Sequence, residues 1–490
     1  MLFSTKEFAL FFIIVCTLYW LVYKWRNVQN AVLFVASMYF YAQLHYSFPI
    51  YLLLMTGISY LLANIISKKE DEKKRQRWMV LSVCIVSLGL FYTKYSGFLF
   101  GNIRGLEHWQ ASALHILVPV GISFYTFAML GYILEVYYET IPPEPNFLTY
   151  ATYISFFPHL LSGPIASART ILPQFSNKPV VTVLSADEAV GEFLWGLFKK
   201  MVVADNISMA VNLCFSDNNT DMNGSSLYIG AILYVVQVYA DFSGYSSMAR
   251  GCAKLLGINL IQNFNMPLFS RSVSEYWRRW HISLTTWFSS YIYSPIVFSL
   301  KSWRKWGVIV SLFITFFISG FWHGAGWQYI IFGLLNGFAL IYEVLTKEVR
   351  LKIFGKLPPF LNDFISTIIV FNFMIIAAIF FRSNSVKDAL HMVSMIWSRS
   401  LFQMPTAFIL KFLKWVAPLF IIEWIQRKGT YTMDIMQWLP TKVTAKNKSQ
   451  KRNTIKINVI IKIVLYTLLS ISIYLFYKKQ NLAEFYYFKF

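Results

Sequence analysis

The chain has 490 residues, of which 57% are hydrophobic and 14% are charged, and its formal net charge is +21 at pH 7. Soluble proteins carry about a quarter charged residues, so this composition excludes an ordinary soluble domain. The basic residues stand mostly in short loops between apolar segments, a pattern that orients membrane proteins. We therefore expect membrane lipid around the chain and no nucleic acid as a partner.

Apolar segments recur along the whole chain and are continuous rather than alternating, which favours membrane helices over the strands of a barrel. The sequence thus predicts an all-α polytopic membrane protein, with about eleven crossings and additional re-entrant or interfacial helices. The segments lie at roughly 8–23, 31–44, 47–66, 79–98, 113–137, 148–165, 189–215, 226–248, 281–300, 307–321, 327–346, 362–381, 405–425 and 457–477.

Two loops predict the orientation of these segments. Positive charge is densest in KKEDEKKRQR (68–77) and in the stretch 442–456, and such loops favour the cytoplasmic side. Counting the segments from these loops places both the N-terminus and the C-terminus outside. Because no repeat and no soluble stretch interrupts the pattern, we expect one membrane domain over 1–490.

A histidine stands between two apolar segments in FWHGAGWQYI (321–330), at His323. Ionisable groups at membrane depth are costly and tend to be functional. Glycines flank it at Gly320, Gly324 and Gly326, and they permit tight turns and close backbone approach. We therefore expect a break between two helices here, with an imidazole that faces a cavity and accepts a proton from a hydroxyl.

A second polar block is SRSVSEYWRRWHISLTTWFSSYIYSPI (270–296). Interpreted as a helix from Ser274, it places Trp277 and His281 near one face. Arg278 and Arg279 would reach either the membrane interface or a phosphate group, and an interfacial belt of aromatic and basic residues is the alternative interpretation. His281 and His323 are far apart in the sequence, and no cluster of histidine, cysteine or aspartate residues stands near either, so we expect no metal.

Two further polar residues remain open on sequence alone. Asp241, in YADFSGYSSMARG (239–251), could orient a histidine, line a polar tunnel or pair with Arg250. His159 precedes Gly163 and Pro164, where a broken helix is expected, and it is either a packing residue or a functional one.

Taken together, five blocks in one order closely resemble the membrane-bound O-acyltransferase (MBOAT) family, over about 113–345. The resemblance is to the bacterial branch that O-acetylates extracytoplasmic polysaccharides, such as the membrane subunits of alginate and peptidoglycan O-acetyltransferases. That branch is related to the teichoic acid D-alanyl transfer protein. The blocks are VPVGISFYTFAMLGYILEVY (118–137), FPHLLSGPIA (157–166), YADFSGYSSMARGCAKLLGI (239–258), NFNMPLFSRSVSEYWRRWHISLTTWF (263–288) and FISGFWHGAGWQYIIFGLLNG (317–337).

This resemblance implies a ring of helices around a central tunnel in the bacterial cytoplasmic membrane. It implies that His323 is the catalytic histidine and that His281 is the second histidine of the family motifs. The implied acyl donor is acetyl-CoA, which would bind from the cytoplasm, and we expect its phosphates near Arg278 and Arg279.

The C-terminal tail FYYFKF (485–490) allows two interpretations. Its aromatic residues suit an anchor at the outer interface. The tail also resembles the aromatic C-terminus of the small partner protein in teichoic acid D-alanylation, and Tyr487 carries a hydroxyl that could accept an acyl group. On this interpretation Tyr487 is a third catalytic residue.

The expected function is therefore movement of an acetyl group from cytoplasmic acetyl-CoA to an extracytoplasmic polysaccharide, through an acyl-tyrosine. An extracytoplasmic transferase that resembles an SGNH hydrolase would be the partner that modifies the sugar. A transporter or flippase of an acyl donor or glycan precursor is the alternative, since intramembrane histidines and broken helices also occur there.

Overall fold

The computed structural model describes residues 1–101, 118–216, 222–398, 406–426 and 463–475. Within these ranges the regular structure is helical and contains no strand, which confirms the all-α prediction. In chain order the helices are α1 (Lys6–Leu21), α2 (Arg26–Ala42), α3 (Phe48–Ser67), α4 (Glu72–Leu90), α5 (Ser96–Gly101), α6 (Ile122–Tyr137), α7 (Phe147–Ser155), α8 (Phe157–Leu160), α9 (Ala168–Ser176), α10 (Val183–Leu197), α11 (Asp205–Cys214), α12 (Gly224–Leu255), α13 (Val273–Arg279), α14 (Ile282–Phe288), α15 (Ser294–Ser299), α16 (Lys305–His323), α17 (Trp327–Leu345), α18 (Lys347–Phe354), α19 (Pro359–Arg382), α20 (Val386–Ser398), α21 (Thr406–Lys411), α22 (Ala417–Gln426) and α23 (Ile463–Leu475).

Six helical stretches in the described part of the chain are long and apolar enough to cross a membrane. They are α3, Glu72–Phe98 (which starts with α4), α12, α16, α17 and α19. These helices confirm a multi-pass membrane protein. The total of about eleven crossings stays a prediction, because the remaining helices are shorter and parts of the chain lie outside the described residues.

Four π-helical segments join consecutive helices into longer units. Phe91–Tyr95 connects α4 to α5, Phe198–Ala204 connects α10 to α11, Ser289–Tyr293 connects α14 to α15, and Phe412–Val416 connects α21 to α22. A π-helical turn shifts the side chains that follow it relative to an α-helical register, and such turns are frequent at functional sites. The first of these segments contains Lys94, which contacts the site described below.

The predicted helix through Trp277 and His281 is wrong, because the chain breaks between α13 and α14. Trp280 is extended and His281 has a left-handed backbone, with φ of 44°. The loop before α13 causes the break: the Asn265 amide donates to the Arg279 carbonyl at 2.9 Å, and the Ile282 amide donates to the Asn263 carbonyl at 2.8 Å. Backbone groups that a continuous helix would use internally are thus bonded to this loop.

The expected break near His159 is confirmed, since α7 ends at Ser155 and α8 is a single short turn. The His159 imidazole is buried and its Nε2 forms a hydrogen bond with the Tyr153 carbonyl at 2.8 Å. Of the two interpretations of His159, its bond and burial favour the packing role.

The longest helix, α12, has 32 residues, and 83% of its most apolar 18-residue stretch is buried inside the protein. Its Asp241 pairs with Lys200 at 2.7 Å, and Lys200 also pairs with Asp205 at 3.0 Å. Arg250 pairs instead with Glu192 at 3.3 Å, so the suggested pair of Asp241 with Arg250 is wrong. Charges buried this deeply need such partners, because an unpaired ion at membrane depth is costly.

Glycines bring α16 and α17 into backbone contact next to His323. A Cβ on Gly320 would lie 2.6 Å from the Tyr329 carbonyl oxygen and 3.0 Å from the Gly333 Cα. A Cβ on Gly333 would lie 2.7 Å from the Gly320 Cα and would also clash with the Phe316 carbonyl oxygen. The antiparallel pair is therefore fixed at its closest approach, one helical turn before the histidine.

We expect Gly333→Ala to destabilise the protein, because its methyl group would meet backbone atoms that cannot rotate away. Overpacking of this kind costs about 1–3 kcal/mol. The measurement is the thermal unfolding midpoint of the purified protein in detergent. Gly57→Ala in α3 is the matched control, since a Cβ there meets nothing within 4 Å. Equal midpoints for the two variants would contradict the glycine contact.

Candidate active site

His323 is the last residue of α16, and α17 begins four residues later at Trp327. The intervening Gly324 is extended, and a Cβ there would clash with the Tyr329 ring. The predicted break between two spans at this histidine is thus confirmed. It results from close approach of a ring to the backbone at Gly324 and not from a left-handed glycine.

The buried end of α16 is held by a lysine and a tyrosine from the π-helical turn after α4. The Trp322 carbonyl accepts hydrogen bonds from Lys94 Nζ and from the Tyr95 hydroxyl, both at 2.9 Å, and Lys94 Nζ also lies 3.5 Å from the His323 carbonyl oxygen. The last carbonyls of a helix have no partner within the helix. A cation at this end is also favoured by the helix dipole.

Our sequence analysis missed Lys94, although a signal for it was present. It lies in SLGLFYTKYSGF (87–98), within one of the long apolar stretches, where a lysine is expected to have a function or a partner. Its partner could not be read from the sequence, because it is a main-chain carbonyl more than two hundred residues away.

Three aromatic rings surround the His323 imidazole. Ring centroids of Trp322, Phe381 and Phe332 lie 4.9, 5.2 and 5.5 Å from the imidazole centroid. The histidine is 4% exposed, and its Nε2 has no hydrogen-bond partner among the residues that the structure describes. A buried polar atom normally has a partner. This nitrogen is therefore available to a substrate group.

His281 lies close to His323, on another side of the same tryptophan. Its ring is 6.5 Å from the Trp322 ring and 4.7 Å from the Phe242 ring, and it is fully buried. The backbone around it is fixed by Asn263, whose side-chain oxygen accepts a bond from the Ser283 hydroxyl at 2.8 Å. The structure thus brings together two histidines that are 42 positions apart in the sequence.

Three neighbouring cavities lie between this site and Arg278, and each shares a wall residue with the next. The first, here the histidine cavity, is about 390 Å³ and is lined by Lys94, Val118, Pro119, Val120, Gly121, Ile122, Ser123, Phe124, Leu161, Trp322, His323, Gly324, Ala325, Gln328 and Tyr329. The second is about 50 Å³ and has both His323 and Trp277 in its wall. The third, the arginine cavity, is about 340 Å³ and has Trp277 and Arg278 in its wall.

The histidine and arginine cavities lie toward opposite ends of α17. Gln328 and Tyr329, at its first turn, line the histidine cavity. Glu343, near its last turn, accepts bonds from the Val273 and Ser274 amides at 2.6 and 3.1 Å, next to the arginine cavity. With a rise of about 1.5 Å per residue, the two ends are on the order of 20 Å apart. His323 borders the first two cavities and packs beside the first turns of α17, at the same end as the histidine cavity.

The two candidate arginines differ in their surroundings. Arg278 lines the arginine cavity, and its Nη1 donates to the Ser274 hydroxyl at 2.7 Å. Arg279 pairs with Glu275 at 2.8 Å and also donates to the Asn265 carbonyl at 3.4 Å. Only the guanidinium of Arg278 therefore combines a place in this cavity wall with freedom from a carboxylate partner in the described structure.

Two other expectations concern the C-terminal tail and metal binding. Tyr487 and the tail 485–490 lie outside the described residues. Among the residues that the structure describes, no three histidine, cysteine, aspartate or glutamate side chains converge as a metal site.

Comparisons with known proteins agree with this arrangement. Residues 138–387 match the family model for MBOAT, the membrane-bound O-acyltransferase family. The chain is 32% identical to the probable alginate O-acetylase AlgI of Pseudomonas aeruginosa, over 82% of this chain and 76% of that protein. It is 32% identical to the peptidoglycan O-acetyltransferase of Helicobacter pylori, over 73% and 72% of the two chains.

A more partial match is the teichoic acid D-alanyltransferase of Bacillus subtilis, at 32% identity over 44% of this chain and 56% of that protein. The family match includes the two motif histidines, the arginine cavity and all of α12. With a helical multi-pass fold around a buried histidine, the chain belongs to the membrane-bound O-acyltransferase family and is an O-acyltransferase.

Proposed function

We propose that the protein takes an acetyl group from cytoplasmic acetyl-CoA and passes it on for O-acetylation of an extracytoplasmic polysaccharide. The observation that carries the proposal is His323, a buried imidazole that borders two cavities and whose Nε2 has no partner in the described structure. The names of the relatives, an alginate O-acetylase and a peptidoglycan O-acetyltransferase, support a polysaccharide hydroxyl as the final acceptor.

In the proposed reaction His323 acts as the general base. Nε2 takes the proton of an acceptor hydroxyl while the hydroxyl oxygen forms a bond to the thioester carbonyl carbon. The tetrahedral intermediate collapses, the carbon–sulfur bond breaks, and the coenzyme A thiolate leaves with the proton that His323 returns. The walls of Phe332 and Phe381 exclude water, which would otherwise compete as acceptor.

The donor enters on the side of the arginine cavity in this proposal. The loop 68–77 is expected in the cytoplasm, and Arg75 in it donates to the Tyr137 carbonyl at the end of α6, while the first turn of α6 lines the histidine cavity. With that expected orientation, the histidine cavity would lie at the outer end of α6. The opposite end, with the cationic Arg278, is the end that suits the phosphates of coenzyme A.

On the outer side Tyr487 is the proposed first acceptor. The tail 485–490 would enter the histidine cavity from outside, where the phenol hydroxyl would reach His323 and form an acetyl ester. An SGNH-hydrolase-like transferase outside the membrane would then move the acetyl group to the polymer. A tyrosine ester hydrolyses in water, so a shielded cavity and a docked partner protein favour this route.

We expect His323→Ala to lower transfer by about 10²–10⁴-fold, the usual contribution of a positioned base. The protein should still fold, because Nε2 holds no other described group in place. The measurement is release of coenzyme A from acetyl-CoA by the purified protein in proteoliposomes with acceptor. His45→Ala, which removes an imidazole near the start of α3, is the control, and activity of His323→Ala close to that control would exclude the base.

The donor site is tested with two neighbouring arginines. Arg278→Gln should raise the KM for acetyl-CoA by about tenfold or more, since a charge-assisted hydrogen bond contributes about 1.5–3 kcal/mol. Arg279→Gln should raise it less, because Arg279 is paired with Glu275. Lys301→Gln on the same side is the control for loss of one charge. If Arg278→Gln and Lys301→Gln gave the same KM, simple anchoring at the interface would explain Arg278.

Tyr487→Phe keeps the aromatic ring and removes the hydroxyl that would carry the acetyl group. We expect acetylated polymer to disappear in cells that carry it, while protein level and acetyl-CoA binding persist. Tyr486→Phe removes a hydroxyl one position away and is the matched control. Normal polymer acetylation by Tyr487→Phe would mean that the tail is an anchor and that the acetyl group leaves by another route.

A further inference from the structure

Trp322, directly before His323 in the chain, carries a second buried ring nitrogen without a described partner. Its side chain is 6% exposed, and the indole Nε1 has no hydrogen-bond acceptor in the part of the chain that the structure describes. Both residues line the histidine cavity. An indole N–H is only a donor, and a buried donor left without an acceptor costs about 1–3 kcal/mol.

Two other tryptophans in the walls of nearby cavities do have acceptors for this group. Trp277 donates to the Asn336 side-chain oxygen at 3.2 Å, and Trp287 donates to the Phe127 carbonyl at 2.9 Å. Both of these indoles thus fasten one helix to another. Trp322 differs, so its N–H is left for a group that is not part of the described chain.

The Trp322 ring is also held rigidly in place. Phe127 stacks on it at 5.3 Å with an interplanar angle of 17°, and Phe124 packs edge-on at 6.2 Å. Its own carbonyl is fixed by Lys94 and Tyr95 at 2.9 Å each. A donor fixed in a dry site needs no reorganisation when charge appears nearby, which is the condition for stabilising a transition state electrostatically.

We propose that the Trp322 indole N–H binds the carbonyl oxygen of the acyl group and stabilises the oxyanion formed during transfer. This inference rests on the proposed function, because it names a further catalytic residue for the same reaction. The ring centroids of Trp322 and His323 are 4.9 Å apart, so one acyl group can contact both.

The step balances with these two nitrogens. The acceptor oxygen forms its bond to the carbonyl carbon, His323 Nε2 takes the proton, and the carbonyl π electrons move to the oxygen, which accepts the hydrogen bond from Trp322. The carbonyl double bond then re-forms, the carbon–sulfur bond breaks, and the leaving thiolate receives the proton from His323. Trp322 donates the same hydrogen bond throughout and changes no covalent bond.

The test removes the N–H while an aromatic ring is kept. In Trp322→Phe, kcat for transfer from acetyl-CoA should fall about 10²–10³-fold, the usual effect of losing one oxyanion donor. The KM for acetyl-CoA should stay near the wild-type value, since the hydrogen bond strengthens only as charge develops. A structural role would instead change the unfolding midpoint or KM. Incorporation of 3-benzothienylalanine at position 322 replaces the N–H by sulfur in a ring of the same shape, and it should give the same loss.

Trp20→Phe is the matched control, because it removes an indole N–H that donates to the Leu255 carbonyl at 3.2 Å and Trp20 does not line the histidine cavity. A kcat within about threefold of wild type for the benzothienyl protein would overturn the inference, whatever the stability of Trp322→Phe. A change confined to KM would overturn it as well. If wild-type protein transfers nothing from acetyl-CoA, the proposed function itself fails, which is a different result from an active enzyme that is indifferent to position 322.

Discussion

The site depends on how one helix ends at membrane depth. α16 stops at His323, and the carbonyls of its last turn would face a medium without water to bond them. Lys94 and Tyr95 supply the missing donors to the Trp322 carbonyl. Because these donors belong to a helix far away in sequence, the end of α16 is bonded to a second helix as well as to its own turn. The positions of the Trp322 and His323 rings are fixed as a result. The part of the histidine cavity wall that these two residues form is fixed with them.

Several polar groups elsewhere in the described membrane region are instead bonded to other groups of the protein. His159 is bonded to the Tyr153 carbonyl, Asp241 to Lys200, and Arg250 to Glu192. Such pairs hold helices together and leave nothing for a ligand. The ring nitrogens of Trp322 and His323 differ from these pairs, because both are without a partner in the described structure and both residues line the same cavity.

The sequence was sufficient for the features that depend on local pattern. Continuous apolar segments indicate membrane helices, and the glycines around His323 indicate the break that the structure has. It failed where a distant segment decides the local structure. The helix expected through Trp277 and His281 is interrupted because residues 263–265 bond to its backbone, and neither a hydropathy pattern nor a helical face reports such a bond. Lys94 was visible as a lysine in an apolar segment, yet its acceptor is a main-chain carbonyl and carries no signature in the sequence. Similarly, the partner of Asp241 is Lys200, whereas Arg250 is nearer in the sequence.

The π-helical segment Phe198–Ala204 has a consequence for the biogenesis of the protein. It contains Lys200 and ends directly before Asp205, and the two side chains are 3.0 Å apart, so this lysine has its first carboxylate partner within one continuous helical stretch that precedes α12 in the chain. Asp241 emerges from the ribosome later and enters the bilayer region beside a cation that is already there. Helix α12, which carries Asp241, thus enters the membrane after the lysine that neutralises this carboxylate. This chain order reduces the free-energy cost of inserting the Asp241 carboxylate into lipid, because the segment with Lys200 has been synthesised before it.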